Sequence, residues 1–307
     1  MLGPMSNRSD KKRIETGVEL DVGATDSLRE EMLRQYEEFI GAKSKKSYLS
    51  NPKTHGHVES VVFSDTHLPE QRMDLIGDIC RRHQGANCYI VGDVNDFESF
   101  SKHESYVWDK PSIRSILAST DAFFEVLPDN FAEVSVILGN HDNRVYKKAS
   151  RTLGSDYAWL CQEAIVTAYE RRHGVHVVRQ QVQQGGSDNI PDMHYWHKVG
   201  DCVLSHAEFS GTTPCFGVRK AHDFFVAWKD YFNLSDMKVL LQAHTHKQGF
   251  YRSPLTGVHC YELGAMCKQL AYMVHTSKYM PIQSGYFYLV QNDGVTDLRE
   301  SRLFSLD

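Results

Sequence analysis

Five apolar runs in this sequence end in polar clusters of one chemical kind, and that placement constrains the fold more than any other feature. VESVVF runs into Ser64-Asp65-Thr66-His67, and NCYIV into Gly92-Asp93-Val94-Asn95-Asp96. AEVSVIL runs into Gly139-Asn140-His141-Asp142, DCVL into Ser205-His206, and KVLLQ into Ala243-His244-Thr245-His246. Each run is short, rich in β-branched residues and closed by Gly, Asp, Asn or His, the pattern of a buried strand that stops at a turn. In open α/β sheets ligands gather beyond the carboxyl ends of the strands. The sequence therefore predicts that all five clusters converge on one rim.

The segments between these runs alternate in period. EQRMDLIGDICRRH, the stretch from Pro111 to about Leu127, and DYAWLCQEAIVTAYERRH read as helices, the second with proline in its first turn. This β-α-β-α-β-α order predicts a parallel sheet. In the second half GVHVVRQQ, MHYWHKVG, DCVLSH, KVLLQAH, GVHCYELG and GYFYLVQND read as strands, with one long helix, FGVRKAHDFFVAWKDYF. The aromatic stripe of that helix, Phe224, Phe225, Trp228, Tyr231 and Phe232, is expected in the core rather than as a base-stacking platform. The expected fold class is α/β, with two mixed β-sheets packed as a sandwich flanked by helices.

Three regions are expected along the chain. Residues 1–25 are polar and aperiodic and read as a disordered arm. Residues 26–56 hold a helix with an apolar stripe at Leu28, Met32, Tyr36 and Ile40, followed by a basic linker. A lone helix cannot bury such a stripe by itself, so the helix is expected to dock. Residues 57–307 are expected to form one domain that carries the five strand-end clusters.

Composition narrows the function classes. A formal net charge of −5 over 307 residues argues against a protein that coats nucleic acid or an anionic membrane. No apolar run approaches the roughly 18 residues of a membrane span, and the N-terminus lacks the apolar core of a secretory signal. The seven cysteines are odd in number and include no CxxC pair, which suits reduced, mostly buried thiols in the cytoplasm.

The residue types at the rim point to metal chemistry. Asp65 and His67 share an i, i+2 spacing, as do His244 and His246, so each pair can face one ion if the chain there is extended. Mixed Asp, His and Asn donors suit Mn²⁺, Fe or Zn²⁺ better than Ca²⁺. One Asp between two ions about 3.5 Å apart would clamp an in-line displacement at phosphorus.

The order DxH, GDxxD, GNHD, an isolated His, then HxH resembles the calcineurin-like metallophosphoesterase family, over residues 58 to 292. GDVNDFESFS, GNHDNR, MHYWHKVGD and YELGAM resemble its phage and prophage branch. The resemblance implies the helix–sheet–sheet–helix fold of that family and two divalent ions, Mn²⁺ first, with Fe, Zn²⁺ or Ni²⁺ as alternatives. It implies that Asp65, His67, Asp93 and His246 hold the first ion, and that Asp93 bridges. Asn140, His206 and His244 complete the second. A water between the ions is the implied nucleophile. His141 is the implied acid or charge stabiliser, oriented by Asp96, with Asp142 in support.

The chain departs from the family at Phe97, where protein phosphatases carry a phosphate-gripping arginine. Arg144 is a candidate substitute for that substrate contact. Ser205 and Ala243 replace the usual glycine before their ligands. Loops around Trp108, residues 183–192 and Arg219-Lys220 are candidates for shaping substrate choice.

The expected activity is hydrolysis of a phosphate ester, first of all a diester that is small or nucleotide-derived. A nuclease of the same fold is the alternative, which would make nucleic acid a partner, and a catalytically silent metal-binding scaffold comes third. No membrane partner is expected, and the sequence assigns no oligomeric state.

Overall fold

The structure is a computed structural model that describes residues 27, 29–34, 55–101, 110–178, 195–211, 213–270, 273 and 281–306. The expected arm over 1–25, most of the linker, Trp108 and the polar loop 183–192 lie outside the described residues.

The described helical residues 29–34 belong to α1. The elements that follow are β1 (His57–Ser64), α2 (Met73–Arg82), β2 (Asn87–Val91), α3 (Ile113–Val126), β3 (Glu133–Ile137), α4 (Arg144–Leu153), α5 (Ser155–His173) and β4 (His176–Val178). After these come β5 (Trp196–Val199), β6 (Cys202–Ser205), α6 (Phe216–Ala227), β7 (Val239–Gln242), β8 (Gln248–Arg252) and β9 (His259–Leu263), then β10 (Gly285–Asn292), β11 (Val295–Thr296) and β12 (Arg302–Ser305).

Two mixed sheets result. The first runs β11-β10-β1-β2-β3-β4, with β12 also on β10; β1 to β4 are parallel and β10 joins β1 antiparallel. The second runs β5-β6-β7-β9-β8, with β6, β7 and β9 parallel and antiparallel strands at both edges.

Strand periodicity builds the layers. In β1, Val61 and Phe63 face a cluster with Ile76, Ile79, Phe123 and Phe124 from α2 and α3, while Val62 faces the other way. In β2, Cys88 and Ile90 join the helices and Tyr89 and Val91 point inward. The inward residues meet Leu204, Val239, Leu241 and Leu263 of the second sheet, so the two sheets pack face to face. Val203, Leu240 and Cys260 on the far side of the second sheet pack on Val218, Ala221 and Phe225 of α6. The expected sandwich flanked by helices is therefore the observed architecture.

Met32 and Leu33 of α1 pack against the first cluster. Arg29 reaches Asp121 at 2.5 Å and also meets Glu125, both on α3.

Four elements have no counterpart in the sequence reading: α4, β8, β11 and β12. Helix α4 buries no residue, and Arg144, Lys147, Lys148 and Arg151 mask the few apolar positions it has. The long helix after Cys215 stops at Ala227, short of the expected Phe232. All seven cysteines are free, with Cys161 exposed and Cys215 half-buried. Among the described residues no helix is long and apolar enough to cross a membrane.

Candidate metal centre

The parallel ladders do not stop where the strands do. Gly92 N donates to Ile137 O at 2.7 Å, Asp65 N to Gly92 O at 3.2 Å, and His67 N to Asp93 O at 2.9 Å. In the second sheet Ala243 N donates to Ser205 O at 2.8 Å. These bonds bring the ends of β1, β2, β3, β6 and β7 to one rim, as the strand-end clusters predict.

The local backbone is not the extended one that the i, i+2 argument assumes. Asp65, His67, Asp93, His244 and His246 all take positive φ, from 45° to 75°. Left-handed backbone at a non-glycine residue costs roughly 1–3 kcal/mol and persists only where its surroundings over-determine it. Here the surroundings do so by bonding the same residues' side chains. His244 N donates to Asp65 Oδ2 at 3.1 Å, and His141 N donates to Asp93 Oδ1 at 2.8 Å.

Two glycines make room for the ligands. A Cβ on Gly92 would lie 2.0 Å from Cδ2 of His206, and one on Gly139 would lie 2.2 Å from Oδ1 of Asp93. The glycines of the GD and GN motifs are therefore fixed by side chains packed on them.

The donors converge. Asp65, His67 and His206 are fully buried and Asp93 nearly so. Nε2 of His206 lies 3.1 Å from Asp65 Oδ1 and 3.4 Å from Asp93 Oδ2, so both carboxylates face one imidazole. Nε2 of His246 lies 3.2 Å from Asp65 Oδ1 and 3.2 Å from Nε2 of His67. Donor atoms of Asp93, His206 and His244 lie within 4.8 Å of one another, as do those of His67, Asp93 and His141, and those of His67, His246 and Cys267.

Several buried polar atoms of the site have no partner among the described residues. Nδ1 of His67 sits 3.1 Å from Asp96 Oδ1, so the ring proton belongs there and Nε2 carries a lone pair. That lone pair faces His246 Nε2, and Nδ1 of His246 has no partner among the described residues. Either tautomer of His246 leaves one buried nitrogen unsatisfied. Nδ1 of His206 and Oδ1 of Asn140 are also buried without partners. Unpartnered polar atoms around two buried carboxylates fit divalent ions.

Asp96 serves two rings. Its Oδ1 lies 2.9 Å from Nδ1 of His141 as well as 3.1 Å from Nδ1 of His67. Arg144 lies alongside: Nη1 donates to Asp96 O and to Glu98 Oε2, and Nη2 donates to Nε2 of His141, each at 2.9 Å. Asp142 accepts from the backbone N–H groups of Val94, Asn95 and Gly139, at 3.1, 2.9 and 2.9 Å, and so ties the GDxxD loop to the GNHD loop.

Charge follows this geometry. Burial opposes ionisation of Asp65 and Asp93, yet the charges of His246 and His206 on Asp65, and of His206 and His141 on Asp93, hold both carboxyls well below the usual range. Burial also opposes a charge on His206, but Asp93 and Asp65 raise its pKa far above that of a free imidazole. Burial and the neighbouring His206 push His244 down to about 3. Burial likewise lowers His141, against the pull of Asp93 and Asp96. Asp142 goes the other way, up to about 6, through burial and the Asp93 charge.

The structure thus brings Asp65, His67, Asp93, Asp96, Asn140, His141, Arg144, His206, His244 and His246 to one rim. Sequence reasoning missed Glu98, which anchors Arg144, and Cys267. The Cys267 thiol is raised well above its ordinary value by burial and by the charges of Asp65, Asp96 and Asp93. Its spacing from any other ligand gave no signal.

No family model matches the chain. No curated protein matches it either. Among solved structures, it is similar to a metallophosphoesterase from Sphaerobacter thermophilus, with 11% identity, a TM-score of 0.39, and 81% of this chain and 89% of that one covered. It is similar to Vps29 of Entamoeba histolytica complexed with zinc, with 12% identity, a TM-score of 0.38 and coverage of 81% and 99%. It is also similar to a protein serine/threonine phosphatase from Saccharomyces cerevisiae, with 12% identity, a TM-score of 0.36 and coverage of 92% and 89%. These likenesses are distant, and the reading of the site rests on its own geometry.

Proposed function

We propose that this protein is a metal-dependent phosphoesterase of the calcineurin-like kind, acting first on phosphodiesters. One observation carries the reading. Two buried carboxylates, Asp65 and Asp93, meet four imidazoles and, among the described residues, no lysine or arginine. Buried charge is stable only when compensated, and imidazole nitrogens gathered on two carboxylates are the donor set that divalent cations take.

Asp65, His67, Asp93 and His246 would hold one ion, and Asp93, Asn140, His206 and His244 the other. Two divalent ions held there would supply positive charge for the phosphoryl oxygens and would lower the pKa of a water. The chain's own residues supply the proton chemistry. His141 carries its proton at Nδ1, against Asp96. Its Nε2 takes up a proton from solvent when the Arg144 N–H yields its place, and a bound phosphate anion favours that exchange. The imidazolium, steadied by Asp96, then donates from Nε2 to the leaving oxygen.

Helix α4 begins at Arg144 beside the site and carries Lys147, Lys148 and Arg151. This basic helix supports a nucleic-acid diester as the second reading.

The test is an assay of wild type and His206→Ala, loaded with Mn²⁺, on bis(p-nitrophenyl) phosphate, p-nitrophenyl phosphate and linear DNA. We expect diester turnover that a chelator abolishes and that falls at least about 100-fold in the variant. Turnover unchanged by chelation or by His206→Ala would sink the proposal. DNA cleavage outpacing the small diester would promote the second reading.

A further inference from the structure

Cys267 lies four residues past the end of β9, in the segment Gly264–Lys268, which is stitched to the loop after β1. Met266 N donates to Ser64 O at 2.9 Å and to Asp65 O at 3.2 Å. Met266 O accepts from Arg72 N at 2.8 Å, and Lys268 N donates to Glu70 O at 2.7 Å. Cys267 itself forms an isolated antiparallel bridge with Gln71. Backbone contacts on both sides thus fix where the thiol sits, and the residue is 1% exposed.

The thiol has two kinds of neighbour. On one side it packs with Ala265 and Leu270, the surroundings of a small hydrophobe. On the other its Sγ lies within 4.8 Å of ring nitrogens of His67 and His246. Sulfur and nitrogen donors about 2.3 and 2.1 Å from one tetrahedral ion stand roughly 3.6 Å apart, and these three lie within 4.8 Å of one another, so a modest contraction would let one ion take them. Nδ1 of His246, a residue 5% exposed, is buried with no partner among the described residues.

We propose that the Cys267 thiolate is a ligand of the first metal, beside His67 and His246, so that this ion has sulfur in its shell while its neighbour has none. This rests on the two-metal reading given under the proposed function and adds to it the choice of ion. On coordination the S–H bond breaks, the sulfur keeps the electron pair for the metal, and the proton leaves to solvent. Thiolate sulfur favours Zn²⁺ or Fe²⁺ over Mn²⁺, whereas oxygen donors suit Mn²⁺. The two positions therefore differ in softness, and the first selects the softer ion.

The test uses the full chain with Cys161→Ser and Cys215→Ser, which removes the two thiols that are not buried. Cys80, Cys88, Cys202 and Cys260 stay, enclosed in the apolar clusters. The protein is titrated with Co²⁺ while the near-ultraviolet thiolate-to-cobalt charge-transfer band is followed. Zinc-loaded protein is measured by X-ray absorption. We expect one charge-transfer band that saturates with one equivalent of cobalt, and a sulfur shell about 2.3 Å from zinc. Cys267→Ser should abolish both while a second ion still binds, with zinc affinity at the first position down about 10- to 100-fold. If the serine variant does not fold, the X-ray absorption of the parent decides alone. Two ions bound with no charge-transfer band and no sulfur shell would make Cys267 a packing thiol and overturn the inference, leaving the two-metal site intact. A folded chain that binds no cobalt or zinc would overturn both readings together.

Discussion

Nη2 of Arg144 donates to Nε2 of His141 across 2.9 Å, and this single contact fixes the state of the imidazole. A guanidinium cannot accept a hydrogen bond, so Nε2 is the acceptor and the ring proton lies at Nδ1, against Asp96. Glu98 and the Asp96 carbonyl hold the other arm of Arg144, so in this state three of its five N–H donors serve the site's own groups.

Arg144→Met should therefore lower kcat roughly 10- to 100-fold with KM on a small diester changed by less than about twofold, because the loss is in placing His141. Steady-state kinetics on bis(p-nitrophenyl) phosphate separate the two cases. A KM that rises with kcat unchanged would mean that Arg144 grips the substrate directly.

Gly92→Ala should cost the protein both stability and metal. The new Cβ falls 2.0 Å from the His206 ring, at a φ of +77°. Overpacking costs about 1–3 kcal/mol and left-handed backbone about 1–2 kcal/mol, so a loss of roughly 3 kcal/mol is expected. Chemical denaturation and metal analysis on the same sample check this. Gly85 has a similar φ of +83° with nothing within 4 Å of the added Cβ, so Gly85→Ala isolates the backbone part and should retain full metal content.

How much of this was legible in the sequence depends on the kind of information each element carries. The strands β1, β2, β3, β6 and β7 are buried on both faces, so their apolar runs read plainly, and the parallel order follows from the helices between them. The ligand types were legible because they end those runs. The reason first given for the DxH and HxH spacing was not the physical one: the residues meet through left-handed turns rather than along an extended strand. Helix α4 left no trace because basic residues mask its few apolar positions, and Glu98 because its partner Arg144 is 46 residues away. Cys267 read as one more reduced, buried thiol, since its nearness to His67 comes from backbone pairing with the loop after β1, far away in sequence. Such contacts are properties of the assembled rim and leave no periodic signal.

Asp121 on α3 gives a pH-dependent test remote from the rim. Nε2 of His173 lies 2.8 Å from its Oδ1, and Arg29 of α1 donates to its Oδ2 at 2.5 Å. The bond to His173, against a smaller opposing effect of burial and with help from Arg29, holds the carboxyl well below its usual range. A carboxylate whose folded pKa is depressed stabilises the fold above its unfolded value near about 3.9, and that contribution drains away as pH falls toward the folded value. Asp121→Asn should then cost about 1 kcal/mol at neutral pH, a figure kept small because the group is partly in solvent. The gap between wild type and variant should hold from pH 7 to about pH 5 and narrow by about pH 3, as the wild-type carboxylate begins to lose its advantage over the unfolded chain. Urea midpoints at those three pH values measure it. A gap that stays constant down to pH 3 would show that the contact works by packing, with no electrostatic share.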